Sequence, residues 1–130
     1  MVVNLALYPI LGKPFILYLG IVTLISFIIT AILGLTIHNR WANIRFKWHP
    51  TMVVISLLLA IFMGIIGIEV GKPNIGAVGI LSLFFFIIAA ILGFRFYKGR
   101  LKHFMLHPAI VLIAFIFAII HGILGILTFI

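Results

Sequence analysis

Two histidines lie inside an almost wholly apolar stretch near the end of the chain, HPAIVLIAFIFAIIHG, which runs from His107 to Gly122. An imidazole is costly in such a segment unless a hydrogen bond or a metal satisfies it. On an α-helix the fourteen residues from His107 to His121 make almost four turns, so the two rings share one face about 21 Å apart along the axis. The pair therefore predicts ligands at two depths of one helix.

An earlier part of the chain has the same pattern. HPTMVVISLLLAIFMGIIGI (residues 49–68) matches HPAIVLIAFIFAIIHGILGI (residues 107–126) at ten of twenty positions. GIVTLISFIITAILG (residues 20–34) matches GILSLFFFIIAAILG (residues 79–93) at ten of fifteen. The residues equivalent to His107 and His121 are His49 and Met63. We therefore expect two similar helical hairpins, about residues 14–70 and 75–130, in which the second and fourth helices run parallel.

Parallel helices bring these side chains into facing pairs, His49 with His107 and Met63 with His121. Haem iron takes two axial ligands from opposite sides of the macrocycle, commonly His/His or His/Met in electron-transfer proteins. Glycines next to the deeper pair would leave room for a macrocycle against the backbone. The sequence thus predicts one or two haems b, with these four side chains as iron ligands and two adjoining glycines in the cofactor site, Gly64 and Gly122.

The start of each ligand helix resembles a known family. KWHPTM (residues 47–52) looks like the N-W-H-P-x-x-M start of a ligand helix in the cytochrome b561 family. The spacing of His107 and His121 also resembles that of the ligand helices of respiratory cytochrome b, where two parallel helices clasp two haems. The resemblance implies that His49 and His107 bind haem. The resemblance covers only the helix starts and the ligand spacing. The b561 family differs from this chain in having six spans and His/His at both haems.

Met63 therefore departs from the pattern and leaves the deeper site open among three alternatives. The site could be His/Met, could take a ligand from a partner chain, or could be empty. Each residue also has a simpler interpretation. A histidine before proline at a helix start can lie at the membrane interface, bonded to headgroups or backbone amides, and a lone methionine usually fills a core gap. Glycines serve as helix-packing contacts in membranes.

The elements that must hold these residues are membrane helices. Of the 130 residues, 66% are hydrophobic and 8% are charged, and a soluble domain of this size could not bury so much apolar surface. Four segments reach the roughly 20 apolar residues that a span needs. They are about Pro14–Ile37, Pro50–Val70, Ile75–Phe94 and Pro108–Ile130. The prediction is one all-α, four-helix transmembrane domain that occupies residues 1–130.

The net charge of +8 is concentrated in two loops, HNRWANIRFKWH (residues 38–49) and RFYKGRLKH (residues 95–103). The positive-inside rule places both loops in the cytoplasm and both termini outside, in a plasma or inner membrane. His38 and His103 lie in these loops and are interpreted as interfacial residues or alternative ligands. The chain has no folded soluble face that could carry a basic patch, so we do not expect nucleic acid as a partner.

The remaining composition excludes most enzyme classes. The chain has no Asp and no Cys, and Glu69 is its one carboxylate, so paired acid/base sites and Ser-His-Asp sets cannot form. Glu69 is interpreted either as an interfacial partner of Lys72 or as a proton acceptor for quinol. Any chemistry must come from a cofactor.

These observations favour a membrane b-type cytochrome subunit that transfers electrons between a quinone pool and a partner redox protein. It would act within a larger complex or a homo-oligomer rather than as a self-sufficient enzyme. The first alternative is a cofactor-free accessory subunit of a membrane complex. The second, a small transporter, is disfavoured because no mid-membrane carboxylate or arginine is present.

Overall fold

The computed structural model describes residues 5–99 and 105–130, apart from the side chain of Glu69. Helices α1 (Phe15–His38), α2 (Trp48–Gly67), α3 (Pro73–Tyr97) and α4 (Leu106–Phe129) account for most of this part of the chain. Each helix is long and apolar enough to cross a membrane. The chain is therefore an integral membrane protein with a four-helix transmembrane domain. The predicted spans match these helices to within three residues at each end.

Proline residues lie where a helix tolerates them. Pro73 opens α3, and Pro50 and Pro108 lie in the first turns of α2 and α4. The first backbone N–H groups of a helix have no internal acceptor, so a proline there removes no hydrogen bond. The connections after α2 and α3 turn at Gly71 (φ 66°) and Gly99 (φ 68°), in the left-handed region that glycine adopts without strain.

The helices pack as two antiparallel hairpins, α1 with α2 and α3 with α4. The hairpins meet through α2 against α3 and α1 against α4, so α1 and α3 lie on one diagonal of the bundle and α2 and α4 on the other. The predicted parallel course of α2 and α4 is confirmed, because the side chains of His49 and His107, in their first turns, lie side by side.

The core is a thin layer at mid-height, to which each helix contributes one buried residue, namely Phe27, Ala60, Phe86 and Ala114. The two phenyl rings stack with centroids 3.8 Å apart. Most other apolar side chains point outward, as expected of a bundle whose surroundings are lipid.

A short segment precedes α1. It consists of a 3₁₀ turn, Leu5–Leu7, and a two-stranded antiparallel ribbon of β1 (Pro9–Ile10) and β2 (Lys13–Pro14). Ala6 is completely buried and packs with Leu19 and Ile66, so this segment covers the end of the first hairpin. Lys13 Nζ donates a hydrogen bond to the carbonyl of Phe129 at 3.3 Å, which ties β2 to the end of α4.

Candidate haem-binding site

His49 is fixed to the neighbouring helix of its own hairpin. It lies in the first turn of α2, and its Nδ1 is 2.9 Å from the backbone carbonyl oxygen of Thr30 in α1. A carbonyl has only lone pairs, so Nδ1 carries the proton and donates it. In the neutral ring, Nε2 then keeps its lone pair, which is the state of a histidine that binds a metal.

His107 repeats this arrangement in the second hairpin. Its Nδ1 donates to the carbonyl of Ala89 in α3 at 2.8 Å. The rings of His49 and His107 face each other across the α2–α4 diagonal, with centroids 6.5 Å apart and planes at 88°. The structure therefore brings together the pair that the sequence predicted at this level.

The separation of these rings fits one metal ion between them. An imidazole nitrogen binds a metal at about 2 Å, which puts each ring centre roughly 3 Å from the ion and two trans rings roughly 6 Å apart. The observed 6.5 Å is close to that value. Two imidazoles joined directly by an N–H···N hydrogen bond of about 3 Å would have ring centres closer together than the observed 6.5 Å.

A cavity of about 1260 Å³ surrounds the two rings. Sites for cofactors and other small molecules commonly measure about 300–1,000 Å³, so there is room for a large planar group. Most of the lining is apolar, and near the loop after α1 the polar residues His38, Asn39 and Lys47 also reach the cavity. We call this end of the bundle, where α2 and α4 begin, the basic end. Its described cations are Arg40, Arg45, Lys47, Arg95 and Lys98.

A second cavity, of about 600 Å³, lies towards the opposite end. Met63 and His121 both line it, so the structure also brings the deeper predicted pair to one site. His121 Nδ1 donates to the carbonyl of Ile75 at the start of α3, at 2.9 Å, which again leaves Nε2 for a metal. Gly64 and Gly122 line the same cavity, and a Cβ at either would meet nothing within 4 Å.

Sequence reasoning missed four other glycines, on α1 and α3. Each lies under one candidate ligand, so closely that a Cβ would come within 2.8–3.5 Å of it. The pairs are Gly34 with His49, Gly93 with His107, Gly79 with His121, and Gly20 with Met63. A signal was present, since these glycines are spaced fourteen residues apart within each helix, the same interval that separates the ligands. The backbone of α1 and α3 thus supports the side chains of all four candidate ligands.

The stacked rings of Phe27 and Phe86 line both cavities. They lie on the α1–α3 diagonal, while the candidate ligands lie on α2 and α4, above and below the stack. Phenyl side chains from α1 and α3 therefore form a partition between the two sites.

No known family model matches this chain, and no curated protein or solved structure is significantly similar to it. Among residues 5–99 and 105–130, no three His, Cys, Asp or Glu side chains are grouped to hold a metal ion. A bare ion would need such a group. Haem does not, because its macrocycle supplies the other donors and the protein contributes only the axial pair.

The remaining predicted residues are less informative. His38 lines the cavity at the basic end but is not one of the two histidines whose rings lie next to each other there. His103, Arg100 and Lys102 lie outside the described residues, as does the side chain of Glu69. The proposed pairing of Glu69 with Lys72 and its proposed role towards quinol therefore remain predictions.

Proposed function

We propose that the chain is a b-type cytochrome subunit that carries electrons through two haems, between a quinone pool and a partner redox protein. The observation that carries this proposal is the His49–His107 pair, with ring centres 6.5 Å apart and both Nδ1 atoms bonded to backbone carbonyls. His49 and His107 would hold one haem, and Met63 and His121 the other. Haem iron supplies one-electron redox chemistry when bound.

The residues of this chain then have separate tasks. The carbonyls of Thr30, Ala89 and Ile75 fix the tautomer and the orientation of the three imidazoles. The mostly apolar lining of both cavities would limit the access of water to the sites. Because the sites lie at the two ends of the bundle, electrons would cross most of the bilayer within one chain. The basic loops would face the cytoplasm by the positive-inside rule.

A specific observation also favours the accessory-subunit alternative. Each of the three hydrogen-bonded histidines joins two helices of one hairpin, so the rings could act purely as packing contacts between helices. In that case the apo-chain would be the functional form, and partners would be other subunits of a membrane complex or further copies of the chain.

The visible spectrum of the purified protein in detergent, oxidised and then reduced with dithionite, separates these functions. A sharp α-band of reduced b haem and about two haems per chain are expected. His107→Ala and His121→Ala should each remove one haem, while His38→Ala, at the edge of the same cavity as His107, should retain both. A colourless protein after haem supplementation during expression would refute the cytochrome proposal and favour the accessory one.

A further inference from the structure

The two candidate sites differ in the donor atoms that they offer. The site at the basic end has two imidazoles, His49 and His107, each with its Nδ1–H bonded to a carbonyl at 2.9 and 2.8 Å. The other site has one such imidazole, His121, together with the thioether of Met63. The sulfur of Met63 lies over Gly20, as the ring of His121 lies over Gly79, so both side chains are held from behind by backbone.

This difference acts on iron in a known direction. A carbonyl that accepts the Nδ1 proton makes Nε2 more basic, and a more basic ligand stabilises the ferric state. A thioether is a soft donor that favours ferrous iron, so axial methionine raises the reduction potential. Two carbonyl-bonded imidazoles therefore set a lower potential than one such imidazole with methionine.

The charges around the two cavities do not reverse this order. Cations raise a potential because they favour the less positive, reduced iron. One described lysine lines each cavity, Lys47 at the basic end and Lys72 at the other. The other described cations of the basic end, Arg40, Arg45, Arg95 and Lys98, would raise the potential of the site there, but none of them lines the cavity. All of these side chains are exposed, so water and salt screen them. The side chains that would hold the haem would act on the iron directly, so the difference between imidazole and thioether would outweigh these screened charges.

We infer that the Met63–His121 site has the higher reduction potential, so that electrons enter at the basic end and leave at the opposite end. The inference rests on the proposed function. In each transfer the His49–His107 site gives up one electron and the Met63–His121 site accepts it. No bond forms or breaks and no proton moves. Phe27 and Phe86, which line both cavities, occupy the space between the sites.

The test is a redox titration of the purified, haem-loaded protein, followed in the α-band and by electron paramagnetic resonance of the ferric haems. At one electron per chain, the ferric signal that disappears first should be that of a His/Met haem, together with the charge-transfer band of methionine-ligated ferric iron. Met63→His should lower the potential of this haem alone. Met63→Leu should abolish its charge-transfer band.

Met52→Leu is the matched control, because Met52 lies on the same helix and lines neither cavity. It should leave both potentials and the charge-transfer band unchanged. The inference is overturned if the bis-histidine signal is lost first, if both haems titrate as bis-histidine, or if Met63→His leaves both potentials unaltered. A protein without haem would instead refute the proposed function. The wild-type titration decides the matter even if both Met63 variants fail to fold.

Discussion

A single methyl group added at Gly79 should weaken the Met63–His121 site without unfolding the bundle. A Cβ there would lie 2.8 Å from Cε1 of His121 and 3.0 and 3.1 Å from its two ring nitrogens. Real Cβ atoms rarely approach other atoms closer than about 3.4 Å, so in Gly79→Ala the ring must move by roughly half an ångström. This shift would stretch the 2.9 Å hydrogen bond from His121 to the carbonyl of Ile75 to roughly 3.4 Å, outside the usual range of about 2.7–3.2 Å, so that little of its stabilisation is kept.

The expected cost follows from three contributions. Overpacking costs about 1–3 kcal/mol, and loss of the hydrogen bond costs about 0.5–1.5 kcal/mol. Alanine in place of glycine returns about 1 kcal/mol of helix propensity. The net loss of about 0.5–3.5 kcal/mol leaves the bundle folded. Haem at the Met63–His121 site should bind about 10–100-fold more weakly, the usual effect of losing the hydrogen-bond partner of a ligating histidine.

The measurements are the haem-to-protein ratio after purification and the rate of haem loss to an acceptor protein in excess. Val78→Ala is the control, because Val78 is next to Gly79 on α3 and lines neither cavity. It should keep both haems. Two haems that dissociate from Gly79→Ala at the wild-type rate would show that the ring does not need its present position, and the reasoning would fail.

Three further predictions concern the other packed positions. Gly93→Ala should weaken only the haem at the basic end, since its Cβ would lie 2.9 Å from the ring of His107; the haem-to-protein ratio measures this, and loss of both haems would contradict it. Phe86→Ala should cost about 3–5 kcal/mol in thermal unfolding, with little change for Phe84→Ala, whose ring is 55% exposed. Ser56→Ala, which removes a 3.1 Å contact with Thr30, should cost only about 0.6 kcal/mol, the average for hydrogen bonds between membrane helices; a loss as large as that of Phe86→Ala would show that the pair does more than join α1 to α2.

The number and the course of the helices could be predicted because the bilayer imposes a simple rule. A span must be an uninterrupted apolar helix of fixed length, and that rule can be applied to Pro14–Ile37 or Ile75–Phe94 without tertiary information. The two-residue ribbon before α1 could not be predicted, because Leu11 and Gly12 form its tight turn at φ 49° and 79°. Leucine is seldom found in that conformation.

That His49 lies beside His107, and that Met63 and His121 share a cavity, could be predicted because both placements depend on register along two parallel helices. The residues that pack behind these four side chains could not be predicted. Gly20, Gly34, Gly79 and Gly93 lie on different helices from the ligands, so their role depends on how far each hairpin is rotated about its helix axes. Periodicity in a helix that is apolar on all faces does not determine that rotation, because no polar face marks the outside. For the same reason the sequence did not predict that Phe27 and Phe86 form a partition between the cavities.

That partition has a consequence for assembly. Each cavity reaches the lipid-facing surface. Ile80, which is 68% exposed, lines the cavity at the opposite end, and Leu112, which is 63% exposed, lines the cavity at the basic end. The layer of Phe27 and Phe86 lies between the two cavities, so a bulky group bound in one cavity has no internal path into the other. A bound group would therefore enter each cavity laterally from the lipid side, after the helices have packed, and the two cavities would fill independently. Chains with only one occupied cavity should then be stable enough to purify and should still be able to fill the second cavity.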